Sequence, residues 1–130
     1  MRANIQGHYT SIDDDHQWEL SDSVLDAWLV AGVIASYQTH TITAGYGPNQ
    51  QRAPRAHRDL RRSMEMDVKA GKAPRCSLVI NKKLGMPGAE YFEVARSLGF
   101  NIPYTLNDER AFWESQIRLL GLDPTALRLV

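Results

Sequence analysis

The sequence predicts a compact single domain of the α+β class, with about four helices and a small sheet of short strands. Three observations lead to this class. Apolar residues recur at helical spacing in several segments, β-branched residues cluster in two short segments, and glycine or proline separates these elements. A chain of 130 residues, 43% of them hydrophobic, is long enough for one self-sufficient core.

The first predicted helix begins near Ser21, because serine and aspartate can accept hydrogen bonds from the unpaired amides of a helix start. From Ala27 to Ile34 every face of this helix is apolar, which predicts a central position in the core. Residues 1–20 lack periodicity and are acidic, so we expect a loosely ordered N-terminal arm there. Residues 21–130 then form the single globular domain.

A short strand is predicted at Thr39–Thr43, because its β-branched residues form an extended pattern. The loop after it contains Gly45-Tyr-Gly-Pro48. The second helix begins around Ala53 with Pro54 in its first turn, where the missing N–H costs little. Gly71 follows a basic last turn and is the expected end of that helix.

The remaining elements follow in a regular order. Cys76–Asn81 is short and rich in β-branched residues, which predicts a strand, and residues 82–88 form a turn. A helix is expected at Ala89–Leu98. The last helix runs from about Leu106 to Leu120, with Thr105 in position to cap it.

Charge is distributed unevenly along the chain. Residues 48–83 hold ten cations and three acids, whereas residues 1–47 hold one cation and six acids. The formal net charge of the whole chain is nevertheless zero. Such segregation indicates a surface that meets an anion, and nucleic acid is the leading candidate.

The predicted nucleic-acid-binding surface centres on the second helix. Its arginines share the face opposite the apolar stripe, where guanidinium groups can contact successive phosphates. Two lysines in the 82–88 turn provide a second phosphate contact, and the tyrosine of the glycine-rich loop is placed to stack on a base. The predicted site residues are Arg55, Arg58, Arg62, Lys69, Lys82, Lys83 and Tyr46.

Three short segments are similar to segments of a known family: Thr41-Ile-Thr-Ala-Gly-Tyr-Gly47, Ala53-Pro-Arg-Ala56 and Pro74-Arg-Cys-Ser-Leu-Val-Ile-Asn81. With them, residues 21–99 resemble the winged-helix DNA-binding domain of alkylguanine-DNA alkyltransferases and alkyltransferase-like proteins. The resemblance implies a winged-helix-like layout, with Arg55 similar to the arginine that this family inserts into the duplex. Alkyl transfer is not implied, because neither histidine nor arginine follows Cys76. Residues 79–88 also resemble a segment of small bacterial proteins.

Catalytic, metal-binding and cofactor motifs are absent from the sequence. The glycines at positions 45–47 and 85–88 match neither the Walker nor the dinucleotide-binding pattern. The cluster Asp13-Asp14-Asp15-His16 lacks the spacing of a calcium loop. We therefore expect no catalytic residue, no metal ligand and no cofactor.

Two alternative functions remain open. The basic face could meet an acidic protein, as a protein–protein interaction module or a small regulator of host or phage. Alternatively, the protein could be a small enzyme in which Cys76 is the nucleophile and His57 the base. A lone cysteine in a short hydrophobic strand is more often a core residue, which favours a protein without catalysis.

Composition also bears on location. The single cysteine excludes an internal disulfide and fits a reducing compartment. The longest apolar run, Ala27–Ala35, is far shorter than the ~20 residues that span a bilayer. The first residues lack the apolar region of a secretion signal. We therefore expect a cytoplasmic protein without membrane contact.

Overall fold

The computed structural model describes residues 6–47 and 52–130. In these ranges the predicted α+β class is confirmed, with helices around a small parallel sheet. No helix of the described ranges is long and apolar enough to cross a membrane. The elements are α1 (Gln6–Ala31), β1 (Val33–Ser36), α2 (Tyr37–Thr43), α3 (Arg52–Lys69), a 3₁₀ helix (Arg75–Leu78), β2 (Val79–Ile80), α4 (Ala89–Ser97), α5 (Leu106–Leu119) and β3 (Arg128–Leu129).

The sheet has the strand order β2-β1-β3, and both described ladders are parallel. Ala35 is in register with Val79, and Val33 is in register with Arg128. Parallel neighbours need crossover connections. Helices α2 and α3 lie in the connection from β1 to β2, and α4 and α5 lie in the connection that leads from β2 to β3 on the other side of β1. The central strand β1 is buried along its whole length.

Helix α1 is longer than predicted. It begins at Gln6, so the expected start near Ser21 is wrong, and the expected boundary at residue 20 falls inside the helix. Gln17 is buried and donates a hydrogen bond from Nε2 to the carbonyl oxygen of Ala44 at 2.6 Å. Its Oε1 accepts one from Arg55 at 3.2 Å. These polar contacts with distant residues fix this part of α1. The helix could not be predicted here from the spacing of apolar residues, because polar contacts hold it.

The apolar run that was predicted as one helix is divided between α1 and β1. Helix α1 ends at Ala31, and Gly32 has a φ of 70°, a left-handed conformation that glycine adopts without steric cost. This residue turns the chain directly into β1. Val33 and Ile34 are therefore strand residues, which the helical prediction for this run missed.

The strand predicted at Thr39–Thr43 is wrong, because these residues lie in α2. The side-chain oxygen of Ser36 accepts a hydrogen bond from the backbone amide of Thr39 at 3.1 Å and so caps the helix. A cap and burial of one helical face outweigh the β propensity of three threonines and an isoleucine. Helix α2 places His40 and Thr41 in the interior.

The second half of the chain follows the prediction more closely. Helices α3, α4 and α5 lie within two residues of their predicted bounds, and Thr105 caps α5 by accepting from the amide of Asp108 at 3.1 Å. Only Val79 and Ile80 of the predicted strand are extended. Its first part is the 3₁₀ helix, whose Ser77 carbonyl accepts from the indole of Trp113 at 2.8 Å.

The turn at residues 82–88 forms as predicted and is closed by one antiparallel bridge between Asn81 and Met86. A winged-helix arrangement is not confirmed, because both ladders of the sheet are parallel. One apolar core joins the helices to the sheet. Leu25, Leu78 and Ile117 bring α1, the 3₁₀ helix and α5 to its centre, where each is 0% exposed.

A cluster of charged side chains joins α1, α3 and the 3₁₀ helix. The Arg75 side chain, 19% exposed, donates from Nε and Nη2 to the two oxygens of Asp67 at 3.0 Å each. It also reaches Asp26 at 2.9 Å and Asp22 at 3.5 Å. Burial raises the pKa of Asp22, and the charge of Arg75 opposes that rise. One guanidinium thus pairs with three carboxylates from two helices.

A second polar contact is buried beneath α2. His40 is 0% exposed, and its Nε2 lies 2.8 Å from Oγ of Ser21. Its Nδ1 has no hydrogen-bond partner among the described residues. Burial, assisted by the neighbouring His57, lowers the pKa of His40 to about 4, so the imidazole is neutral in the folded protein at neutral pH.

Replacing Arg75 by alanine should lower the free energy of unfolding by about 3 kcal/mol or more, because three carboxylates lose their common partner. Urea denaturation measures the change. Lys72→Ala is the matched control, since Lys72 is exposed beside the same cluster, and it should change stability by less than about 0.5 kcal/mol. Equal stability of the two variants would contradict the structural role of Arg75.

The buried His40 should make the fold sensitive to acid. The imidazole of His40 takes up a proton near pH 6.5 in the unfolded chain but only near pH 4 in the folded protein. Stability contributed by the neutral imidazole is therefore complete above that window and falls by about 3 kcal/mol as the pH drops through it. Urea denaturation at several pH values should show a shallower dependence for His40→Gln. An identical pH dependence in this variant would contradict the assignment.

Candidate nucleic-acid interface

Helix α3 presents one apolar face and one cationic face. Its buried residues are Ala56, Asp59, Leu60, Ser63, Met64 and Asp67. At about 100° per residue, Arg55, Arg58, Arg62 and Lys69 fall within about 60° of one another on the opposite side of the helix. We call these four residues the basic stripe. It extends for about 21 Å along the helix axis, since fourteen residues rise about 1.5 Å each.

The basic stripe faces solvent. Arg58, Arg62 and Lys69 are exposed, and Arg55 is half-buried. Arg61 is exposed beside the stripe and pairs with Glu65 at 3.4 Å. Glu65 is the only acid of α3 that is not buried, because Asp59 and Asp67 face the interior. The outer surface of α3 is therefore strongly positive.

Two arginines of the stripe lie over aromatic rings. The Cζ atom of Arg62 is 4.3 Å from the ring centroid of Trp18, and that of Arg55 is 5.7 Å from the ring centroid of Tyr46. Stacking uses the flat face of a guanidinium and leaves its N–H groups directed outward in the plane. Trp18 thus holds Arg62 in an orientation suited to a phosphate.

Tyr46 does not have the predicted role. The residue is 5% exposed, and its hydroxyl donates to Oδ2 of Asp59 at 2.5 Å. Burial and the carboxylate of Asp59 both raise the pKa of the Tyr46 hydroxyl. The reason is that Asp59 lies on the buried face of α3 and needs donors, one of which Tyr46 supplies. Its ring is accordingly not exposed for stacking on a base.

Lys82 and Lys83 are exposed at the tip of their turn. The side-chain oxygen of Asn81 accepts from the amides of Lys83 at 2.9 Å and Leu84 at 3.2 Å, which shapes the turn. Arg110 of α5 donates to the carbonyl oxygen of Leu84 at 2.6 Å. Arg110 thus attaches this turn, through Leu84, to α5.

Sequence reasoning missed two residues of this region. Trp18 supports Arg62, but it lies in the segment that was expected to be an arm, so its position beside α3 had no sequence signal. Arg75 counted toward the positive charge of residues 48–83, yet its charge is neutralised by Asp22, Asp26 and Asp67. The spacing of cations alone does not distinguish an internal arginine from an external one.

The two residues of the enzyme alternative line the same cavity, of about 30 Å³, which is room for a water molecule. Nδ1 of His57 lies 3.1 Å from a carboxylate oxygen of Glu90 at its rim. Cys76 is 5% exposed, and burial, with Asp67 acting in the same direction, raises the pKa of its thiol. The thiol is therefore protonated at neutral pH, unlike an activated nucleophile.

Cys76 should resist thiol reagents in the folded protein. Modification by a chromogenic disulfide at neutral pH should be at least ~10²-fold slower than in denaturant, because a buried, protonated thiol reacts only when the structure opens. The chain has no other cysteine, so the signal is unambiguous. Rapid, complete modification of the native protein would instead support the enzyme alternative.

Comparison with known proteins does not relate this chain to a known family or fold. No family model, curated protein or solved structure matches the chain. The resemblance to the alkyltransferase DNA-binding domain therefore stays a prediction that rests on its three short segments. Of these, Ala53-Pro-Arg-Ala56 lies in the first turns of α3, where Arg55 begins the basic stripe. Among the described residues, no group of three or more histidine, cysteine, aspartate and glutamate side chains could hold a metal ion.

Proposed function

We propose that the protein binds nucleic acid, with duplex DNA as the preferred ligand, through the basic stripe of α3 and without catalysing a reaction. The observation that carries this proposal is the alignment of four cations opposite the buried face of one helix. We place the activity in the cytoplasm, where a single unpaired cysteine suits the reducing conditions.

The dimensions of the basic stripe suit a phosphate backbone. Its length of about 21 Å is enough for its cations to reach several phosphates of a DNA duplex. Arg58 and Arg62 lie one helical turn apart and are both exposed. Nε of Arg58 pairs with Asp59 at 3.2 Å, and Arg62 lies over Trp18, so both are held in place at the surface. Surface ion pairs contribute at most about 1 kcal/mol, so the pair between Arg61 and Glu65 can open in favour of a phosphate.

An acidic protein is the alternative partner for this surface. Stable protein–protein interfaces have an apolar centre within a polar rim. On the outer side of α3, Met66 is the one large apolar side chain that is exposed. A surface of several cations with a single exposed methionine favours a polyanion over a protein partner.

Replacing Arg58 and Arg62 together by alanine tests the proposal. We expect the affinity for a duplex of about 20 base pairs to fall about tenfold or more at low salt, because two phosphate contacts are lost. The slope of log affinity against log salt should decrease by about 1.8. Fluorescence anisotropy with duplex DNA, single-stranded DNA and RNA, at two salt concentrations, measures both quantities.

The matched control removes the same charge elsewhere. Arg118 and Arg128 are exposed on α5 and β3, and their double alanine variant should keep most of the duplex affinity. The control variant should unfold like the wild type, because its altered side chains are exposed. The Arg58/Arg62 variant should lose some stability, because Arg58 pairs with the buried Asp59 and Arg62 lies over Trp18, so both affinities are compared where each variant is fully folded. Unchanged affinity of the Arg58/Arg62 variant would remove the basic stripe from the interface. Equal losses in both variants would show a response to net charge alone, which contradicts a defined site.

A further inference from the structure

Tyr104 is an exposed aromatic residue with a fixed position. It precedes α5 and is 84% exposed, which is unusual for a large aromatic side chain in a monomer. The Cζ atom of Arg96 lies 3.8 Å from the centroid of its ring. One face of the ring is thus covered by a guanidinium group, and the high exposure requires the other face to lie open to solvent.

The arginine beneath the ring is itself firmly held. Nε of Arg96 donates to the carbonyl oxygen of Ile102 at 2.8 Å, and Nη2 donates to that of Pro103 at 3.0 Å. The same Nη2 pairs with Glu109 at 2.7 Å. Arg96 and Glu109 are 13% and 16% exposed, so this support is largely shielded from water. Tyr104 therefore rests on a preorganised base, and little side-chain entropy remains to be lost when a ligand stacks on it.

Cations also lie beside the first turn of α5, which follows Tyr104 in the chain. Arg110, one turn after Leu106, holds the turn that carries Lys82 and Lys83 by donating to Leu84. Glu109, which pairs with the support of Tyr104, directly precedes Arg110 and lies about 100° from it around α5. The turn that carries the two lysines and the support of Tyr104 thus meet α5 on either side of Leu106.

The charge of this region is positive. Lys82, Lys83, Arg96 and Arg110 outnumber Asp108 and Glu109 by two. Glu109 is neutralised by Arg96, and Asp108 accepts a hydrogen bond from the hydroxyl of Thr105 at 2.6 Å. Leu106, 62% exposed, supplies an apolar surface between the turn of the two lysines and the support of Tyr104. We call Tyr104, Leu106, Lys82 and Lys83 the stacking surface.

We propose that the stacking surface binds a single-stranded segment of nucleic acid, with one base on the open face of Tyr104 and phosphates at Lys82 and Lys83. An aromatic ring beside cations is the combination that binds unpaired bases without sequence preference. A protein partner fits less well, because lysine is depleted from the centres of protein–protein interfaces. This inference rests on the proposed nucleic-acid function and adds a second, structurally separate contact to it.

A single-stranded oligonucleotide of about ten residues that contains 2-aminopurine tests the stacking. Stacking on Tyr104 quenches the fluorescence of this base analogue, so the wild type should quench it at saturation. Tyr104→Ala should weaken binding by about 5- to 100-fold and abolish the quenching, whereas Tyr104→Phe should retain both. In a double alanine variant of Lys82 and Lys83, the slope of log affinity against log salt should decrease by about 1.4.

Leu119→Ala is the matched control, because Leu119 is 72% exposed at the other end of α5, about 20 Å along the axis. Equal effects of Tyr104→Ala and Leu119→Ala, or no quenching by the wild type, would overturn the inference and leave the surface to a protein partner. The two proposals fail separately. Duplex binding that depends on Arg58 and Arg62, without quenching of the single strand, retains the basic stripe and rejects the stacking surface.

Discussion

The ion cluster around Arg75 determines how α1, α3 and the 3₁₀ helix are arranged. Its guanidinium binds Asp67 through two nitrogens and reaches Asp22 and Asp26 on α1. The backbone amide of Arg75 also donates to Asp67 at 2.9 Å, so both chain direction and side chain are fixed at this residue. Because the 3₁₀ helix continues directly into β2, the cluster also sets where β2 meets β1. A misplaced Arg75 would leave several carboxylates near the interior without a counter-charge.

The same constraint explains how α3 can be so basic on its outer surface. The helix carries acids on its inner face, where Asp67 meets Arg75 and Asp59 meets Tyr46. Buried carboxylates require donors, and those donors hold the helix in one rotational setting. The cations at the opposite positions are thereby turned toward solvent. In α3 most of the acids are buried and most of the cations are exposed. The exposed surface of the helix is therefore more positive than a count of its acids and cations suggests.

Local signals were sufficient to predict α3, α4 and α5, because helical periodicity and a capping residue such as Thr105 act within a few positions. They also predicted the alignment of the basic stripe. The errors arose where distant contacts decide the outcome. The first part of α1 depends on the hydrogen bonds of Gln17 with Ala44, which follows α2, and with Arg55 of α3. Strand β3 is two residues long and pairs with a strand far away in sequence. Tyr46 was assigned to the surface from its place in a glycine-rich loop, and nothing in the local sequence indicates its hydrogen bond to the buried Asp59.

The position of β1 in the middle of the sheet has a consequence for synthesis of the chain. Val33–Ser36 emerges from the ribosome before both of its neighbours, which are residues 79–80 and 128–129. One edge of this short hydrophobic strand therefore remains without its hydrogen-bond partner until residues 79–80 have been made, and the other until residues 128–129 have been made. Unpaired edges of this kind recruit other chains, and pairing over long separations is slow. The central strand of the sheet is thus made first and can complete its pairing only after β3 has been made.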